Sequence, residues 1–270
     1  MAFARNKRKR LFLQSIKTKV IIKKNKNMDL KDLEKQVFQQ ELGNGFAVSE
    51  AFPALMRKVY VWMTMALAIS GVTAYGVANS PNLLNLIYSN QILFYGIIIA
   101  ELVLVWKISS SVWKPNRSLT TTTMMFIIFS MLNGATLAYI FVLFAPEAIV
   151  KTFFVTAGTF GATALYGYTT KKDLVSFGSF FMMGLIGLII AGAVNIFLQS
   201  SMMDLIISIA GVVLFIGLTA WDSQQIKRQL AMMPDLSEGS QKVALSGALS
   251  LYLDFINLFI YLLRIFGRER

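Results

Sequence analysis

Residues 243–263 read VALSGALSLYLDFINLFIYLL, an apolar run in which Asp254 is the one charged side chain. A transmembrane helix needs ~20 mainly apolar residues. Six further runs of this kind precede it, at 55–78, 91–109, 119–144, 148–168, 176–198 and 202–221. Strands of membrane barrels alternate over ~10 residues, whereas these runs are continuous and about twice as long. The sequence therefore predicts an all-α membrane protein with seven transmembrane helices.

Composition agrees with this fold class and excludes several kinds of chemistry. The chain is 56% hydrophobic and 15% charged, with a mean hydropathy of +0.59, whereas soluble domains carry about 25% charged residues. It contains no cysteine and no histidine. Disulfides, thiol catalysis, zinc sites built from cysteine or histidine, and histidine acid–base chemistry are thereby excluded. Proton or ion binding would fall to aspartate and glutamate, and no cofactor is expected.

The sequence divides into three segments. Residues 1–27 are basic and lack acids, a pattern shared by nucleic-acid arms, anionic-lipid tethers and transit peptides. Because Met28 opens a charge-mixed sequence, we interpret 1–27 as disordered or as a non-native start, and we predict no nucleic-acid partner. Residues 28–52 contain DLKDLEKQVFQQEL, which predicts a cytoplasmic amphipathic helix. Residues 53–270 form the predicted transmembrane domain.

The basic residues predict the orientation in the bilayer. Positive charges concentrate in cytoplasmic loops, and most of those near the spans fall on one side, namely Arg57, Lys58, Lys107, Lys114, Arg117, Lys171, Lys172, Lys227, Arg228 and Lys242. The amino terminus is therefore predicted to be cytoplasmic. Seven crossings place the basic tail of Arg264, Arg268 and Arg270 on the other side, against the rule. A re-entrant final hairpin would avoid that, but 243–263 is long enough to span, and we favour a full span.

Three carboxylates in apolar runs are candidate functional residues, because an ionisable group in the bilayer core costs ~2.5–3.5 kcal/mol on insertion scales. Asp254 lies about 16 Å into the last run. Asp222 follows an apolar stretch of only ~26 Å after Asp204, against ~30 Å of hydrocarbon. It is followed by Gln224 and Gln225, which suit a polar interior. Glu101 lies about 9 Å inside Lys107.

Each acid also has a structural interpretation: an interhelical hydrogen bond, or a buried pair with a cation such as Arg57, Lys227 or Arg264. The sequence gives little support for an enzyme, because the nucleotide-binding motif GxxxxGK[ST], the metalloprotease motif HExxH and the hydrolase motif GxSxG are all missing from it. Two intramembrane aspartates could run aspartic proteolysis. Their contexts, AWD at 220–222 and YLD at 252–254, lack the Tyr-Asp and Gly-x-Gly-Asp motifs of intramembrane aspartyl proteases. We predict that the chain is not an enzyme.

Three blocks of sequence resemble the BAX inhibitor-1 family, bacterial branch. They are FFVTAGTFGATALYGYTTKKDLVSFGSFFMMG at 153–184, GLTAWD at 217–222 followed by QIK at 225–227, and ALSLYLDFINLFIYLL at 248–263. The resemblance implies a seven-helix fold whose last helix lies in the centre of the other six. The family's paired aspartates, at the end of helix six and in helix seven, fall on Asp222 and Asp254. Some bacterial relatives add an arginine on helix two, where this chain offers Glu101.

The resemblance also implies a function, a pH-sensitive calcium leak, in which Asp222 and Asp254 sense pH and line the ion pathway. Two carboxylates that meet in a poorly hydrated site would share a proton, and their ionised forms are the hard oxygen ligands that calcium prefers. Calcium is expected as a permeant ligand. The alternative implied for bacterial members is a non-conducting regulator that binds a membrane-anchored AAA protease. The expected location is the bacterial inner membrane.

Overall fold

The structure is a computed structural model that describes residues 51–114 and 116–267. The segments predicted at 1–27 and 28–52, and the basic residues Arg268 and Arg270, lie almost entirely outside this part of the chain. The long helices are α1 (Phe52–Ala78), α3 (Gln91–Ser109), α4 (Leu119–Leu137), α6 (Pro146–Thr169), α7 (Gly178–Leu198), α8 (Ser201–Ala231) and α9 (Glu238–Phe266). Two short helices, α2 (Pro81–Ser89) and α5 (Ile140–Leu143), and 3₁₀ turns at Ser110–Trp113 and Val175–Phe177 complete the described elements.

Seven of these helical segments are long and apolar enough to cross a membrane, which confirms the predicted fold class. Their starts follow from local chemistry. Pro53, Pro81 and Pro146 occupy the first two positions of α1, α2 and α6, where the missing N–H costs no helical hydrogen bond. Asn90 Oδ1 accepts a hydrogen bond from Leu93 N at 3.1 Å, and thereby caps α3. Ser118 caps α4 in the same way.

The third predicted span, 119–144, is interrupted in the structure. A turn at residues 138–139 separates α4 from α5. The hydroxyl of Tyr88, on α2, lies at this break: it donates to the carbonyl oxygens of Ala135 (2.9 Å) and Thr136 (3.0 Å) and accepts from Tyr139 N (3.0 Å). A side chain that supplies these bonds replaces the helical hydrogen bonds and lets the helix change direction.

Helix α9 lies in the centre of the bundle. In the most apolar 18-residue stretch of α9, 61% of the residues are buried inside the protein. In the corresponding stretches of the segments that contain α3 and α7, 6% are buried. It packs against α8, α1, α6, α4 and α3, whereas α7 packs on α8. It is one continuous helix of 29 residues, about 43 Å long. The re-entrant hairpin is therefore wrong, and α9 is long and apolar enough for the full span.

Helices α8 and α9 pack antiparallel over their length, and small residues set the separation. A Cβ on Gly211 would lie 2.7 Å from the ring of Tyr261, and one on Gly247 would lie 3.1 Å from Ile226. Phe215 stacks on the same tyrosine at a centroid distance of 5.8 Å. This close approach fixes the register that brings the candidate site together.

Candidate functional site: a carboxyl pair between the last two helices

The structure brings the carboxyl groups of Asp222 and Asp254 within hydrogen-bonding reach of each other. Asp222 lies on α8, nine residues before that helix ends at Ala231, and is partly buried. Asp254 lies near the middle of the central helix α9 and is only 5% exposed. Two carboxyl groups in such contact form a hydrogen bond only if one of them carries a proton. The pair can therefore hold one proton between two helices.

Several buried oxygen atoms, of Asp254 and of residues next to Asp222 in the sequence, lack a hydrogen-bond partner in the described part of the chain. Ser223 Oγ, Gln225 Oε1 and Asp254 Oδ2 are buried and have no hydrogen-bond partner among the residues that the structure describes. Ser223 and Gln225 follow Asp222 within one turn of α8. Buried polar atoms without partners are costly in an apolar bundle. A proton on one carboxyl would satisfy the aspartate oxygen.

Gln224 is buried, as expected, and its side chain is hydrogen-bonded to a loop. Its side-chain oxygen accepts a hydrogen bond from Leu174 N at 2.8 Å, and its amide nitrogen donates to Lys172 O at 2.7 Å. Beside it, Trp221 Nε1 donates to Val175 O at 3.3 Å. These two side chains fasten the loop between α6 and α7 to α8. Both glutamines fit the predicted polar interior: Gln224 is buried with its amide group hydrogen-bonded, and Gln225 is partly buried with its side-chain oxygen inside the protein.

The three predicted cationic partners lie elsewhere. Lys227 Nζ donates to Tyr168 O at 2.7 Å and lies 4.7 Å from the centre of that tyrosine ring. Arg264 forms an ion pair with Asp204 at 3.2 Å. Arg57 is exposed on α1. Within residues 51–114 and 116–267, neither aspartate of the pair forms an ion pair, so the buried-cation interpretation is wrong for them.

Glu101 belongs to a second polar cluster, on the other side of α9. Thr136 Oγ1 donates to its Oε1 at 3.0 Å, and Asn133 Nδ2 lies 3.3 Å from its Oε2. The interhelical hydrogen bond expected as its structural alternative is therefore present between α3 and α4. Asn133 Oδ1 in turn accepts from the hydroxyl of Tyr252 at 2.7 Å.

The cluster ends on α1 and does not include the aspartate pair. The Tyr252 hydroxyl lies 2.7 Å from Ser70 Oγ, which donates to Ser130 O at 2.7 Å. Tyr252 and Asp254 are two residues apart, and each helical residue turns by ~100°. They therefore point to nearly opposite sides of α9. The central helix thus carries one polar contact toward α8 and another toward α1, α3 and α4.

Sequence reasoning missed two buried polar residues of α9. Tyr252 is fully buried, but in the sequence it is one aromatic residue among many. Lys242 is 3% exposed, and its Nζ donates to the carbonyl oxygens of Lys114 and Arg117, both at 3.1 Å. From the sequence, Lys242 is expected only as one of the basic residues that mark the cytoplasmic side. Its position after the polar segment 235–241 gives no signal that the side chain turns inward to hold the loop between α3 and α4.

The acidic residues do not assemble into a larger ligand set. The described residues contain no group of three or more aspartate, glutamate, histidine or cysteine side chains that could hold a metal ion. A calcium ion takes six to eight oxygen ligands, and the pair offers at most four carboxylate oxygens. The pair by itself therefore does not complete the coordination shell of a calcium ion.

Comparison with known proteins agrees with the architecture. A family model described as "Inhibitor of apoptosis-promoting Bax1" matches residues 53–270. The Inner membrane protein YbhL of Escherichia coli is 44% identical over 216 residues, which cover 80% of this chain and 92% of that protein. An uncharacterized protein of Borreliella burgdorferi is 44% identical over 215 residues, with coverage of 80% and 92%. An uncharacterized membrane protein of Streptococcus pyogenes is 37% identical, with coverage of 78% and 91%.

The chain therefore has the seven apolar helices of an integral membrane protein, a buried helix at their centre, and a matching family model over its whole transmembrane region. On this evidence, it belongs to the family of inhibitors of apoptosis-promoting Bax1, the BAX inhibitor-1 family.

Proposed function

We propose that this integral membrane protein is a pH-sensitive calcium leak whose gate is the carboxyl pair of Asp222 and Asp254. The observation that supports the proposal is the contact itself: the two acids meet between α8 and α9, in the interior of the bundle. No enzymatic step is part of the proposal. We place the protein in a bacterial inner membrane, by analogy with the relative named for that membrane, and its amino terminus in the cytoplasm, because most of the basic residues near the spans fall on one side.

The proposed gate works by a change in charge. With one proton between them, the two carboxyl groups form a hydrogen bond that holds α8 against α9. When that proton leaves, two negative charges face each other in a medium that screens them weakly, and the contact becomes repulsive. Because α9 also packs against α1, α3, α4 and α6, a shift of this helix changes the packing of the whole bundle. The protonation state thereby biases two arrangements of the helices.

Calcium is the proposed permeant ion because ionised carboxylates are hard oxygen ligands. Deprotonation would thus supply both the repulsion that loosens the helices and the ligands that attract the cation. The unpartnered oxygens of Ser223 and Gln225 would add weak ligands beside the pair. A passing ion would retain water for its remaining positions.

Calcium entry into liposomes tests the gate. For the wild-type protein, we expect the rate of calcium entry to change as the external pH is stepped. Asp222→Asn and Asp254→Asn should each flatten this pH profile, because an amide neither gains nor loses the proton. The matched control is Asp204→Asn, which removes a partly exposed aspartate of α8 paired with Arg264 and should leave the profile unchanged. An unaltered profile in both pair variants would eliminate the pair as the gate.

The alternative function, a non-conducting regulator of a membrane-anchored AAA protease, stays a prediction. The regulator would bind its partner through its helices or through the amphipathic segment at 28–52, which lies almost entirely outside the described residues. The contact of the two aspartates gives the leak the stronger physical support, because a binding surface has no need of a buried carboxyl pair.

A further inference from the structure

A lateral seam lies between α1 and α6. Both helices pack against the central helix α9, but they hardly touch each other. Toward one end, the seam widens into a groove of about 660 Å³. Toward the other end lies a smaller cavity of about 110 Å³, to which α9 contributes Phe255, Ile256 and Phe259. The central helix therefore forms part of the wall of the smaller cavity.

The wider groove is apolar except at its mouth. Its walls are formed mainly by hydrophobic side chains and small residues, among them Met56, Met63, Phe160, Gly161, Ala164 and Leu165. The polar lining residues are Arg57, Tyr60, Thr64 and Tyr168, and the described part of the chain contributes no carboxylate to the lining. Arg57 is exposed and forms no ion pair with a carboxylate of the described chain. Among the residues that the structure describes, no carboxylate thus balances the positive charge of Arg57 at the mouth of the groove.

The geometry along the helices matches a lipid rather than a compact ligand. Arg57 lies near the start of α1, and Tyr168 lies at the end of α6. Both belong to the end of the bundle that carries Lys58, Lys171, Lys172 and Lys227. From Met56 to Ala74, the α1 residues that line the two cavities extend over about 27 Å. This length is close to the ~30 Å of a bilayer's hydrocarbon core.

We propose that the α1–α6 seam is a binding site for one anionic phospholipid. The acyl chains lie along the apolar walls and reach the side of α9, and the phosphate binds Arg57 at the mouth. The planar guanidinium is suited to phosphate, with which it forms paired charge-assisted hydrogen bonds. The ammonium of Lys227, over the ring of Tyr168, adds positive charge to the same wall. A bound lipid would contact the helix that carries Asp254, whether or not the aspartate pair gates an ion.

Native mass spectrometry tests the site directly. The full-length protein is extracted from vesicles of equal parts phosphatidylglycerol and phosphatidylcholine, and the lipid retained by each variant is identified. We expect the wild type to retain one phosphatidylglycerol in preference to phosphatidylcholine. Arg57→Gln should reduce that preference by about tenfold, as expected for the loss of a charge-assisted hydrogen bond. Arg57→Lys should keep part of it, and added inorganic phosphate should not displace the lipid.

Filling the groove gives a second measurement, independent of charge. A Cβ on Gly161 meets nothing within 4 Å, so Gly161→Phe can place its ring in the groove without a backbone clash and should abolish retention of both lipids. Thr64→Phe fills it from the opposite wall. The matched control is Gly187→Phe, at an equally open glycine of α7, which should retain lipid like the wild type. Unfolding midpoints in detergent identify any variant that fails to fold.

Three outcomes would overturn the proposal. The first is equal retention of the two lipids by the wild type. The second is unchanged retention in folded Gly161→Phe and Thr64→Phe. The third is that a helix of another membrane protein occupies the groove in the purified complex. In that case, Gly161→Phe would release that protein and leave lipid retention unchanged.

Discussion

The hydrogen-bonded cluster around Glu101 contains more contacts than hydroxyl protons to fill them. Ser70 and Tyr252 have one hydroxyl proton each, but they take part in three contacts: Ser70 with Ser130 O, Ser70 with Tyr252, and Tyr252 with Asn133 Oδ1. One contact therefore lacks a proton when Glu101 is ionised. If Glu101 binds a proton and the Asn133 amide is reversed, Glu101 donates to Asn133 Oδ1 and the Asn133 amide nitrogen donates to the Tyr252 hydroxyl. Tyr252 can then donate to Ser70 Oγ, and Ser70 to Ser130 O, so that every contact has a proton. The cluster thus accommodates a neutral side chain at position 101.

Glutamine at position 101 should therefore preserve stability. Its amide group donates as a protonated carboxyl does, so Glu101→Gln should unfold within about 0.5 kcal/mol of the wild type, the usual range for a mild substitution. Glu101→Leu, which leaves the Asn133 side chain without its partner at position 101, should cost about 1–3 kcal/mol. Unfolding by a denaturing detergent measures both values. The control is Glu147→Gln, at an exposed position near the start of α6. Glu101→Gln and Glu101→Leu losing equal stability would contradict the proton count.

The candidate site was predictable from the sequence only in part. Asp222 and Asp254 stand out because a carboxylate in an apolar run has few structural explanations. The partners of Glu101 could not be predicted, since they depend on how α3, α4 and α9 are rotated about their axes. Lys242 was misjudged because a lysine near a helix start is usually a solvated loop charge, and only the folded chain shows its ammonium against two carbonyl oxygens.

At the scale of single helices, the contact between α6 and α8 depends on one glycine. A Cβ on Gly167 would lie 2.1 Å from Ala220 O, and a backbone oxygen cannot move aside as a side chain does. Gly167→Ala should therefore cost about 1–3 kcal/mol or more, the range for overpacking. Gly161→Ala, on the same helix but in open space, should be neutral or should stabilise by up to about 1 kcal/mol through helix propensity. The same detergent unfolding compares the two, and equal values would contradict the packing argument.

The helices themselves were predictable because long apolar runs have few alternatives in a membrane, and the polar segment after residue 222 predicts that the sixth helix extends toward Pro234, as it does. The start of the last helix was not predicted. The sixth predicted span, 202–221, continues as α8 to Ala231, and the seventh, 243–263, begins five residues earlier, at Glu238. Hydropathy marks where a segment leaves the apolar layer, whereas a helix continues until its backbone is interrupted. SQQIKRQL at 223–230 contains mostly good helix formers, so α8 projects beyond the apolar run and ends before Pro234.

For the whole molecule, the orientation in the bilayer is the prediction with the most direct test. The chain contains no cysteine, so single cysteines can be introduced without background labelling. With a cytoplasmic amino terminus, Asn82→Cys should react with a membrane-impermeant maleimide applied to intact cells, and Lys172→Cys should react only after the cells are opened. The unmodified chain is the control. The reverse pattern would invert the orientation and with it the assignment of the basic loops.

The position of α9 has a consequence for how the protein is made. The helix at the centre follows in the chain the helices that surround it, so the ribosome delivers α1 to α8 before their common core exists. At ~5–20 residues per second, the 35 residues from Met232 to Phe266 take about two to seven seconds to synthesise. During that interval, Ser70, Asn133 and Asp222 lack the partners that α9 provides. In the nascent chain, α1 to α8 are therefore present for a few seconds without their central helix. The fold is completed when α9, which carries Asp254, joins them.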